Sequence, residues 1–222
     1  MVHKKSQYPR RKASGFSVVE LMIVLAVGGI LSAIAIPQMI ASRRLTRSTA
    51  VTREIMTQLR LARQLAMSRR GAYTFVYDYT AKDLKVIGPI PTGVIALADP
   101  TYPNNLGSST LAVSSLSQQG LYGDDIKYGI PTAADLPVGA PTIPTGALAD
   151  GVSITPLVSN KLCITFQPDG SVIDTTANPT SKAMFFFNNK APLDTSSAIS
   201  VLGASGRIKV WRYNPNANIY AE

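Results

Sequence analysis

From Phe16 to Ala41 the chain is almost continuously apolar, and the only carboxylate in that stretch is Glu20, near its start. No charged residue falls between Leu21 and Ile36. Read as a helix, the stretch is about 39 Å long at about 1.5 Å per residue, enough to cross a hydrocarbon core of about 30 Å. Beyond it the pattern becomes amphipathic. Val51, Ile55, Leu59, Ala62 and Ala66 recur on one helical face, Leu61 and Leu65 widen the stripe, and Arg53, Arg60 and Arg63 lie mainly off it. Gly71 supplies a C-terminal stop, and Arg69 and Arg70 suit the negative end of the helix dipole. The pattern predicts one helix over 16–70. Its first half, 16–41, spans a membrane and its second half packs on a domain. Pro37 lacks an N–H and crowds the preceding turn, so a kink is expected there.

From Gly71 the period changes to two. Tyr73, Phe75, Tyr77 and Tyr79 alternate with Thr74, Val76 and Asp78, which predicts a strand paired with Leu84–Ile87 through a turn at 80–83. Residues 88–151 are rich in Pro, Gly, Ser and Thr and read as a loop-rich excursion holding short strands at most. Strand signals return at Val152–Pro156, Leu162–Gln167, Val172-Ile173 and Ala183–Phe187, with Pro168-Asp169-Gly170 as a turn. Ile199–Leu202 and Arg207–Tyr213 read as a hairpin. The fold class expected is α+β: a long N-terminal helix packed on an antiparallel β-domain over 71–222.

Charge changes this picture in one respect. The formal charge of +9 suits a polyanion binder, but its distribution does not. Residues 1–15 carry Lys4, Lys5, Arg10, Arg11 and Lys12 and no acid, and the helix carries most of the arginines. Residues 71–222 carry slightly more acidic than basic side chains, so a nucleic-acid footprint spread over the domain is not supported. The basic flank ahead of the apolar run places the N-terminus in the cytoplasm and the domain outside. Arg43, Arg44 and Arg47 just past the run read as headgroup contacts. The single cysteine, Cys163, reads as a small buried apolar residue, and one His with one Cys makes no zinc ligand set. Asp124-Asp125 is the only acidic pair with a cation reading, beside that of a solvated turn. No metal or cofactor is expected.

Gly15-Phe16-Ser17-Val18-Val19-Glu20-Leu21, behind a short basic leader and ahead of a long apolar run closed by Pro37, resembles the N-terminal signature of type IV pilins and pseudopilins. The resemblance implies that a prepilin peptidase removes residues 1–15 by cutting between Gly15 and Phe16, and that Phe16 is then N-methylated. Glu20 becomes the fifth residue of the mature chain. A carboxylate within a membrane segment is costly and functional by default. Paired with the free ammonium of Phe16 on a neighbouring subunit, it sets the register of a helical assembly. A Glu20 that snorkels to the headgroups is the plain alternative. The small pairs Gly28/Ser32 and Gly29/Ala33 suit close helix approach or ordinary membrane-helix composition. Further on, Cys163-x-x-Phe166-x-Pro168-Asp169-Gly170 and Gly206-Arg207-Ile208-Lys209-Val210 resemble the H-type minor pseudopilins and T-type minor pilins. The implied role is a subunit of a type II secretion pseudopilus or a type IV pilus, anchored in the inner membrane among other pilin-type subunits.

Two further readings compete. Ala33-Ile34-Ala35 is an A-x-A tripeptide, and a signal peptidase cutting after Ala35 would release a soluble exported protein. Along Arg207–Tyr213, the residues Arg207, Lys209, Trp211 and Tyr213 share one strand face. Basic and aromatic together, they have the chemistry of a single-strand stacking platform, and some T-type minor pilins serve DNA uptake. The plain reading of that strand is an exposed one with Ile208 and Val210 inward. No catalytic motif is present, and the domain reads as structural rather than enzymatic.

Overall fold

A computed structural model of the chain describes residues 17–90, 110–116, 125–174 and 178–222. The chain divides into two units, up to Ala41 and from Ser42 to Glu222, and the first helix, α1 (Val18–Arg69), contributes residues to both. α1 continues through Pro37 and ends two residues before Gly71.

The second unit is built from α1 residues 42–69 and two antiparallel sheets. Its elements are β1 (Ala72–Asp78), β2 (Asp83–Ile90), β3 (Thr110–Ser115), β4 (Ile126–Tyr128), β5 (Lys161–Phe166), β6 (Val172–Ile173), β7 (Lys182–Asn188), the short helix α2 (Pro192–Thr195), β8 (Ser197–Val201), β9 (Ile208–Asn214) and β10 (Ile219–Ala221). Sheet one runs β3-β2-β1-β5-β6, and sheet two runs β10-β9-β8-β7-β4. The expected hairpins β1–β2 and β8–β9 are present, with Tyr77 opposite Leu84 and Ile199 opposite Val210. The turn before β6 forms as its residues dictate. Gly170 takes φ +84, and the Asp169 carboxylate accepts from the Ser171 amide and hydroxyl.

The apolar stripe of α1 explains why both sheets are needed. Val51, Ile55, Leu59, Ala62 and Ala66 are buried in one cluster with Tyr73, Phe75 and Tyr77 of β1 and Leu162, Ile164 and Phe166 of β5. Met184, Phe186, Ile199 and Val201 of sheet two join the same core. Alternation then commits the other residues of β7 and β8 to the opposite face. Ala183, Phe185 and Ala198 pack there with Trp211, Tyr213 and Tyr220 against Ile143, Leu148 and Val152. Sheet two is therefore apolar on both faces, and the irregular segment through Ile143 to Val152 closes its second one.

The expected antiparallel β-domain forms as two sheets, and one strand expectation changes. Val152–Pro156 is not a strand. It lies beside β7 through Thr155, whose amide donates to Ala183 O (2.9 Å) and whose Oγ1 accepts from the Ala183 amide (3.0 Å), while Pro156 has no N–H to extend a ladder. The 88–151 excursion contributes β3 and β4, and its residues 91–109 and 117–124, Asp124 among them, lie outside the described residues. Asp125 forms an ion pair with Lys190 at 3.1 Å.

Candidate assembly helix

The residues with the strongest functional pattern lie on α1 before Ser42. Among the described residues this is the one helix long and apolar enough to cross a membrane. Val18, Val19, Leu21, Met22, Ile23, Val24, Leu25 and the large side chains that follow to Ile40 are exposed on every side of the helix. A helix apolar all round needs a cover on all sides, and only a lipid phase or other helices can supply one. Within it, Ser32 Oγ donates back to Gly28 O at 2.7 Å, so the hydroxyl is satisfied inside its own helix. Gly28 and Gly29 have open space where a side chain would stand, so a neighbouring helix can approach their backbone closely.

Glu20 sits in the first turn of α1, where a carboxylate complements the positive end of the helix dipole. The Leu21 amide behind it donates to Ser17 O at 3.1 Å, so the helical ladder has begun by that point. Glu20 is exposed, and the apolar run follows directly. Gly15 and Phe16 lie outside the described residues, as does the basic leader.

Residues 10–36 match the family model for the prokaryotic N-terminal methylation motif. The chain carries that motif. It occupies the basic leader and the first part of the apolar helix, and Gly15, Phe16 and Glu20 all fall inside it. The chain is also similar to the type IV wide pilus major component PilA4 of Thermus thermophilus, 45% identical over 42 residues. That match covers 19% of this chain and about a third (32%) of the pilus protein. Among solved structures, the type IV minor pilin FimU of Pseudomonas aeruginosa is similar at a TM-score of 0.40 and 17% identity, over 73% of this chain and 90% of that one. The minor pseudopilin EpsH of the Vibrio cholerae type 2 secretion system is similar at a TM-score of 0.38 and 10% identity, over 73% of this chain and 93% of that one.

The second candidate surface, on β9, is assembled differently from its sequence pattern. Trp211 and Tyr213 are only 4% and 6% exposed and belong to the second core. The Trp211 indole N–H donates to Ser200 Oγ (2.8 Å), and the Tyr213 hydroxyl donates to Asn218 Oδ1 (2.7 Å). Lys209 lies along that core with Nζ 4.9 Å from the Trp211 ring centre, and it pairs with Glu222 at 2.7 Å. Arg207 reaches the same carboxylate at 3.8 Å. The Lys209 hydrogen bond, with both cations nearby, holds the Glu222 carboxyl below its usual range. The aromatic rings are interior, so this face offers no stacking platform. The face alternation of β9 was legible, but nothing local in the sequence shows that residues 143–152 cover it.

Proposed function

We propose that the protein is a subunit of a type IV filament machine, a type IV pilus or a type II secretion pseudopilus. The carrying observation is the methylation motif at 10–36 continuing into a helix whose apolar surface is exposed on all sides and holds one carboxylate. On this reading a prepilin peptidase cuts between Gly15 and Phe16 and methylates Phe16. The N-terminus starts on the cytoplasmic side, residues up to Ala41 rest in the inner membrane, and the domain lies outside it. Lipid covers the helix first, and the same helices of other pilin-type subunits cover it after assembly.

Glu20 is the group that gives such a bundle register. Peptidase cleavage exposes an ammonium on Phe16, and a carboxylate and an ammonium that are each costly in an apolar phase become tolerable as a pair. Donated between neighbours, that pair fixes the axial step from one subunit to the next. The domain works as a folded body carried on the helix, with no reaction assigned to it. Intact-mass and N-terminal analysis of the protein recovered from cells tests the reading. Methylated Phe16 is expected at the mature end, whereas a start at Ile36 or a retained leader would overturn it.

A further inference from the structure

One edge of sheet two is only half covered. Leu202 N–H donates to Arg207 O and Tyr213 N–H donates to Ser196 O, so the alternation of the antiparallel ladder turns Arg207, Lys209, Trp211 and Tyr213 toward β8. Ile208, Val210, Arg212 and Asn214 therefore turn their backbone groups to the other side. β10 meets Arg212 and Asn214 there, through Ala221 and Ile219. Among the described residues no strand meets Ile208 or Val210 on that side. Beside this edge lies a groove of about 440 Å³ between α1 and β9, with Met56, Ile208 and Val210 in its lining. Its lining holds Arg53, Arg60 and Arg212, all exposed, with Asp194 and Glu222 as its carboxylates, and among the described residues neither of these lies within ion-pair distance of the three arginines. Glu222 already shows how a carboxylate seats at this edge, held by Lys209 and Arg207.

We propose that the open β9 edge and its arginine-rimmed groove dock an extended acidic peptide segment of a partner protein, which adds a strand to sheet two. The backbone groups of Ile208 and Val210 supply the main-chain pairing. Alternate side chains of the added strand then point to Arg53, Arg60 and Arg212, which favour carboxylates, and over Met56, which favours an aliphatic stem. The open strand edge selects a polypeptide over other anions, because a lipid headgroup or a nucleic-acid backbone carries no amide ladder to match it. This inference concerns the domain alone and does not depend on the reading of the N-terminal helix.

The test uses the full chain in phosphatidylcholine nanodiscs and a fluorescent heptapeptide of alternating Glu and Val, followed by anisotropy. Saturable binding that weakens with salt is expected, with affinity lower by about tenfold or more in Arg53→Glu/Arg60→Glu. The same peptide N-methylated at alternate amides should lose binding, and a Lys–Val peptide should not bind. Arg212→Glu gives an independent variant, and an unchanged unfolding midpoint shows that each variant is folded. The proposal is overturned if the Glu–Val peptide fails to saturate, or if its N-methylated form binds equally well. It is also overturned if single-stranded DNA or phosphatidylglycerol nanodiscs bind at the same arginines in preference to the peptide.

Discussion

Gly206 packs where no other residue fits. It takes φ +57, its N–H donates to Leu202 O at 2.7 Å, and an added Cβ would overlap the carbonyl oxygen of Gly170. The Arg63 Nε would stand 3.1 Å from the same Cβ, and the Arg63 guanidinium already donates to Ser205 O at 2.9 Å. Gly206→Ala therefore carries two costs. An alanine in the left-handed region loses about 1–2 kcal/mol. Forcing a methyl group against a backbone carbonyl, which cannot swing aside as a side chain does, adds about 1–3 kcal/mol. Gly151 separates the two, because its φ is +80 but nothing stands within 4 Å of an added Cβ. Gly151→Ala thus pays the conformational cost alone, and the difference between the variants isolates the overlap. At about 2–4 °C per kcal/mol for a domain of this size, Gly206→Ala should melt about 2–12 °C below Gly151→Ala. Near-UV circular dichroism of the detergent-solubilised chain reads this directly. Equal melting of the two variants would refute the account of how the β5–β6 and β8–β9 turns meet.

Three further outcomes are expected. Glu20→Ala should leave processing at Gly15 intact and remove the subunit from sheared filaments or pseudopili, scored by immunoblot; normal incorporation would sink the pairing with Phe16. Trp211→Ala should lower domain stability by about 3–5 kcal/mol, because it empties the centre of the second core and removes the indole donor to Ser200 Oγ, as denaturant unfolding would show. Asp135 accepts from Thr132 Oγ1 (2.7 Å), Lys127 Nζ (2.9 Å) and the Thr132 amide (3.0 Å), and these bonds hold its carboxyl below the usual range. The stability this supplies is present above the ordinary carboxylate pKa and is lost as pH falls from that value through the lower folded one. An Asp135→Asn chain should therefore show a shallower acid limb in its stability–pH curve, and an identical limb would count against the assignment.

The helix was legible almost to the residue, since an unbroken apolar run, then a 3.6-residue apolar stripe and a closing glycine, agree with Val18–Arg69. The β1–β2 and β8–β9 hairpins were legible for a similar reason, because their turns and strands point to the same pairing. The division into two sheets was not. A period of two says which residues share a face, but not what covers that face. Lys209 illustrates this, since its aliphatic stem lies along a core while its charge reaches Glu222, so a basic residue marks a covered surface. Val152–Pro156 fails as a strand because its β-forming side chains serve as plugs for the second core. In the candidate assembly helix, the proposed roles rest on residue identities and offsets, which a sequence displays fully.

The closing segment on sheet two has one further implication. Ile143, Leu148 and Val152 anchor it by insertion, and Asp150 ties it to β8 by accepting from Ser200 Oγ, so residues 144–147 are the part of the segment that neither a strand nor that tie constrains. Insertions and substitutions there can remodel the outward surface while the α1-facing core stays untouched. The protein thus keeps its packing on the helix and its external appearance under separate control, which would suit the proposed subunit if it shares a lattice with others yet presents its own skin.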